Sequence, residues 1–83
     1  MKKYQPPKEI ELQHQELMSK IGMKLAELRK AKSFSSSGLA KELGISRNAY
    51  HNMESGKVYF NLLSLLQVLD YHQITATNFF NGL

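Results

Sequence analysis

The chain contains no cysteine, which removes disulfides, thiolate metal sites and cysteine nucleophiles together. Only two prolines occur, Pro6 and Pro7, and both stand near the start. No apolar stretch reaches the length of a membrane span, and the opening MKKYQPPK has no apolar run behind its charges. Neither a membrane anchor nor a secretion signal is therefore visible, and a cytoplasmic location is expected. The three histidines, His14, His51 and His72, lack metal-ligand spacing, so neither a metal nor a cofactor is expected. Enzyme chemistry has little to stand on. Ser35, Ser36 and Ser37 precede Gly38 without a glycine elbow or a placed histidine and acid, and there is no phosphate-cradling glycine loop or close carboxylate pair.

Acidic residues are scarce where basic ones gather. The net charge is +4 over 83 residues. Lys20, Lys24, Arg29, Lys30, Lys32, Lys41, Arg47 and Lys57 are set against only Glu27, Glu42 and Glu54, while from Val58 to the end the sole formal charge is Asp70. A one-sided basic surface suits an anionic partner, although a charge run by itself is equally the mark of a solvated helix face. At this length the chain makes one small domain that buries about 60% of its unfolded surface, so a partner subunit would help its stability.

No run alternates with period two, so strands are not expected. Instead, one local pattern recurs four times: an apolar residue, a capping residue, and a second apolar residue four positions after the cap. The sets are Phe34, Ser35, Leu39; Ile45, Ser46, Tyr50; Phe60, Asn61, Leu65; and Ile74, Thr75, Phe79. In each, an N-cap side chain can accept from the first free backbone amides while the preceding apolar residue staples onto the first turn. With Gly44, Gly56 and Gly82 as stops, helices are predicted near 36–43, 47–54, 62–71 and 76–81. Ahead of them Ile10, Leu17, Ile21, Leu25 and Leu28 form one apolar stripe, with His14 as a member, on a helix that starts after the two prolines. Gly22 lies inside it at a cost of up to about 1 kcal/mol, so the helix either runs through or breaks near 19–22.

The stretch LAKELGISRNAYHNMESGK, Leu39 to Lys57, carries the most specific signal. Ala40 is small enough for a second helix to approach, Gly44 suits a left-handed C′ position, Ser46 caps the next helix, and Tyr50 and Met53 fall three apart on its inner face. This is the pattern of a helix-turn-helix. Together with IGMKLAELR before it and MESGK and ITATNFFNG after it, the stretch resembles the repressor-like DNA-binding domains of the lambda, Cro and Xre type. The resemblance runs without a gap over 21–83, leaving 1–20 as an N-terminal extension that is helical from about residue 8.

The resemblance implies an all-α, five-helix lambda-repressor-like domain that binds double-stranded DNA and regulates transcription at the nucleoid, most simply as a repressor. Arg47, Asn48, His51 and Asn52 fall on the face opposite Tyr50 and Met53, and none is acidic. Arginine reads guanine and asparagine reads adenine in the major groove, so these four are the expected base readers. A surface role for Arg47 and an incidental place for His51 are the plainer alternatives. The amides after Ser35, with the hydroxyls of Ser35 and Ser36, and Lys57 with the backbone around Ser55 and Gly56, are expected phosphate contacts. The resemblance also implies an ion pair between Arg29 and Glu54 that fixes the recognition helix.

Three positions depart from the family pattern. Ser36 stands where a longer glutamine is usual, and Phe60 replaces a common proline within the uncharged loop Val58, Tyr59, Phe60. Tyr50 replaces a branched aliphatic residue, so its hydroxyl is expected to reach water or a partner. After Val58 the chain is strongly apolar, and Leu62, Leu63, Leu65, Leu66, Val68 and Leu69 leave little polar face on their helix. Such a helix asks for burial on more than one side. A second subunit, giving a homodimer, is the simplest cover, and the alternative is that the extension folds back over it. A different use of the same fold also stands open, as an antitoxin or other module that binds a protein partner.

Overall fold

The computed structural model describes residues 3–83, and these form five helices with no strand among them. They are α1 Lys8–Ala31, α2 Ser36–Leu43, α3 Arg47–Ser55, α4 Leu62–Tyr71 and α5 Ala76–Asn81. The all-α class and the last four helix positions agree with the sequence, with α3 one residue longer than predicted. All four predicted caps form. Ser35, Ser46 and Thr75 accept from the amides of Gly38, Ala49 and Asn78 at 3.0, 3.0 and 3.1 Å, and Asn61 accepts from Leu63 at 2.7 Å. Each satisfies a backbone donor that the helix start would otherwise leave free.

Three of the four connections share one construction. A left-handed residue ends the helix, an apolar residue turns inward, and a hydroxyl residue caps the next helix. The left-handed positions are Ser33, Gly44 and Gln73, with φ of 61°, 72° and 59°. The amides of Phe34, Ile45 and Ile74 then bond back to the carbonyls of Arg29, Ala40 and Leu69 at 3.2, 3.1 and 3.0 Å. This six-to-one closure satisfies the last free carbonyls of the outgoing helix. The apolar residue of each connection packs against the core. Only Gly44 was recognisable in the sequence, because Ser33 and Gln73 adopt the left-handed region without being glycine. Gly82, expected as a similar stop, caps α5 with φ of −84° and uses no left-handed conformation.

The first helix is unbroken through Gly22, and the reason lies in its contact with α3. A Cβ on Gly22 would fall on the carbonyl oxygen of Glu54, and one on Gly56 would come within 2.7 Å of the Cα of Ser19. The two backbones therefore cross almost in contact, and the helix-propensity cost of Gly22 is set against a packing that no other residue permits. Around this crossing Ile21, Leu25, Leu39, Ala40, Tyr50 and Met53 join Leu65, Val68, Leu69 and Phe79 in one core.

The stripe of α1 enters that core later than the sequence suggested. Met18, Ile21, Gly22 and Leu25 are buried, whereas Ile10, His14 and Leu17 are exposed. The extension is thus a projecting continuation of α1 and does not fold back over α4. Leu62 and Leu63 accordingly stay 62% and 63% exposed, so the alternative cover, the chain's own extension, is absent.

Candidate nucleic-acid interface

α2 and α3 pack on one another through the turn at Gly44, with Ala40 only 2% exposed beneath α3. The inner face of α3 carries Tyr50 and Met53 into the core, so its outer face must carry the residues one turn-fraction away. Arg47, Asn48 and His51 are exposed there. Together with Ser36 from the first turn of α2, they line one shallow open depression. Ser35 uses its hydroxyl to cap Gly38, and the amides of Ser36 and Ser37 find no internal acceptor among the described residues. One side of the domain therefore combines free amides, a guanidinium, an amide side chain and an imidazole, with no carboxylate among the residues lining it.

Asn52 stands apart from this group. It is half-buried and faces a second depression, shared with Ala49, Tyr59, Phe60, Asn61 and Ser64 at the entrance to α4. Helical spacing placed it with Asn48, four residues earlier, but the loop after α3 rises beside it, and no local pattern announced that neighbour. Ser55 is also engaged within the fold. Its hydroxyl donates to the carbonyl oxygen of Asn52 at 3.0 Å and accepts from the amide of Lys57 at 3.3 Å, closing the end of α3. The Lys57 side chain is exposed.

The acid on α3 is turned away from the outer face. Arg29 Nε donates to Glu54 Oε2 at 2.8 Å and a terminal nitrogen donates to Oε1 at 3.1 Å, while the other terminal nitrogen donates to the carbonyl oxygen of Phe34 at 2.8 Å. This paired geometry ties α1, the end of α3 and the α1–α2 connection to one guanidinium. Its side chains are only 14% and 13% exposed, and the bond to Glu54 raises the Arg29 pKa above its usual value.

Tyr50 corrects one expectation. Its ring is fully buried, and its hydroxyl, expected to reach water or a partner, is enclosed without a hydrogen-bond partner among the described residues. Burial pushes the phenol well above its ordinary range, and the Glu54 carboxylate adds to the rise while Arg29 opposes it. His72 shares the condition. Its Nε2 is buried and unpartnered, and burial, followed by the charge of Lys32, lowers its pKa. No group of three or more histidine or acidic residues is placed to hold a metal ion among the described residues, and none of the described helices is long and apolar enough to cross a membrane.

A short helix, a left-handed turn and a capped second helix with a polar outer face define a helix-turn-helix domain. The model of the family described as Helix-turn-helix matches residues 25–78, well over half of the chain, and the chain belongs to that family, in its lambda-repressor-like and Xre branch. Sequence-specific binding of double-stranded DNA in the regulation of transcription is the work of this family. No curated protein and no solved structure matches the chain.

Proposed function

We propose that this protein is a transcriptional repressor that binds a two-fold duplex site as a homodimer, with residues 47–55 in the major groove. The observation that carries the reading is the carboxylate-free depression lined by Ser36, Arg47, Asn48 and His51 on the outer side of the helix pair. Arg47 is the sharpest member. It occupies the first turn of α3, where the helix dipole disfavours a cation, and an anionic partner at that end offsets the cost. Arg47, Asn48 and His51 read base edges, and Asn52 reads from the side nearest the loop after α3. Ser35 and Ser36 present the start of α2 to one phosphate, while Lys57 grips another. Ser55 acts by holding the Lys57 backbone in place.

The dimer rests on Leu62, Leu63 and Leu66, which are 62%, 63% and 40% exposed on a helix that carries no charge before Asp70. A second copy removes that surface from water. Two recognition helices then read half-sites about 34 Å apart, one turn of the duplex, and the site is roughly palindromic. Selection of bound sequences from a random duplex pool tests the reading, with sedimentation of the free protein beside it. Enrichment of a palindrome by a dimer is expected. A monomer at tens of micromolar with an asymmetric site sinks the dimer.

A second reading is favoured by one observation. Val58 and Tyr59 are 45% and 76% exposed in the uncharged loop that runs into Leu62 and Leu63. A continuous apolar surface of this kind also suits a protein partner, as in an antitoxin that neutralises a toxin. If no duplex is enriched even at low salt, this reading replaces the first.

A further inference from the structure

Residues 8–17 of α1 are helical without a single buried member, and their stripe of Ile10, His14 and Leu17 lies open to water. A length of helix this short draws most of its stability from packing an apolar face, so the stripe asks for a cover. α1 is one unbroken helix, and this projecting arm does not reach α4 of its own chain. The surface on α4 is in the same condition, with Leu62, Leu63 and Leu66 exposed. Three leucines alone fall well short of the roughly 800 Å² that each partner buries in a stable interface.

Charge selects the occupant. The arm sets Glu9, Glu11 and Glu16 against Lys8 alone. A duplex repels such an arm, and two arms laid on one another bring like charges together. α4 carries no charge before Asp70, and its ten residues span about 15 Å, which is also the length of the arm.

We propose that two copies of the chain exchange arms: residues 8–17 of each lie across α4 of the other, with Ile10 and Leu17 covering Leu62, Leu63 and Leu66. The inference rests on the dimer reading and names the surface that completes it. Each copy then contributes two apolar strips instead of one, and the same contact forms twice about the two-fold axis. Both exposed stripes leave the water together.

The chain has no cysteine, so single ones can be introduced without a competing thiol. Leu17→Cys and Leu63→Cys lie at exposed positions outside the core. When the two variants are mixed and oxidised, a cross-link between residues 17 and 63 is expected to form faster than either variant links to itself. Faster self-linking of Leu17→Cys places arm on arm, and faster self-linking of Leu63→Cys places α4 on α4. Either result overturns the inference. Leu17→Glu is expected to reduce the sedimenting mass to that of one chain at a concentration where the wild type is dimeric. A dimer that survives this change overturns the exchange and leaves the dimer reading standing. A wild type that is monomeric at tens of micromolar overturns both, and that failure is recognised before any variant is made.

Discussion

Gly22 meets the carbonyl oxygen of Glu54 so closely that no side chain fits between α1 and the end of α3. The contact decides the sign of a substitution that helix propensity alone would get wrong. Gly22→Ala gains up to about 1 kcal/mol of propensity in the middle of α1. It also drives a methyl group into the backbone of the recognition helix, where overpacking costs about 1 to 3 kcal/mol and relief requires α1 and α3 to separate. The net expectation is destabilisation, read as a lower thermal midpoint. A raised midpoint would mean that the two helices do not cross at this glycine. Gly44 supplies the contrast, because a Cβ there meets nothing within 4 Å. Gly44→Ala should therefore cost only the left-handed backbone term, about 1 kcal/mol.

The ends of α1 and α4 offer the opposite change. Ser33 and Gln73 hold φ near +60° without being glycine. Ser33→Gly and Gln73→Gly remove that strain at exposed positions, against the larger entropy a glycine gives the unfolded chain. Each is expected to stabilise by about 0.5 kcal/mol, and for a domain of this size that is a rise of a few degrees. Denaturation of the two variants and their pair checks this. A fall in either would show that the left-handed conformation is not held in solution.

His72 links stability to pH. Burial lowers its pKa in the fold below the ordinary 6.5, so the folded state holds it neutral where the unfolded chain begins to take up a proton. The stability it contributes is therefore whole above about pH 6.5 and declines as the pH falls from there towards the lowered native value. Melting at pH 7.5 and 5.5 should show a loss that is smaller in His72→Leu, which fills the same buried place without a titrating group. Equal losses in the two proteins would assign the effect to other residues.

Arg47 and Lys57 are expected to fail in different ways. Arg47→Ala should cost about 1 to 3 kcal/mol on the selected duplex and relax the preference at one base position. Lys57→Ala should weaken selected and random duplexes alike and reduce the slope of affinity against salt by about one. Binding measured at several salt concentrations on both duplexes separates the two. Identical behaviour would remove the assigned roles.

Local chemistry was the legible part of this molecule. The caps at Ser35, Ser46, Asn61 and Thr75 depend on bonds spanning two or three residues, and the sequence carries both ends of each bond within that window. The outward position of Arg47, Asn48 and His51 followed from the inward position of Tyr50 and Met53 for the same reason. What escaped depends on residues far apart in the chain. Gly22 reads as a weak point until Glu54, thirty-two residues later, lies against it. Met18 replaces Leu17 at the edge of the core because a stripe gives the direction of a helix face but not where the neighbouring helices end. The left-handed Ser33 and Gln73 carry no glycine to announce them, and the loop beside Asn52 is brought there by the path of the chain into α4.

The three connections built alike, each a left-handed residue, an inward apolar residue and a capping hydroxyl, leave the helices no slack. Every residue of the turn between α2 and α3 is committed to a backbone closure, the core or a cap. The protein thus brings a nearly fixed template to the duplex, and the deformation needed for a close fit falls on the nucleic acid. Base pairs that no side chain reaches should then influence affinity through the ease with which they bend or narrow a groove.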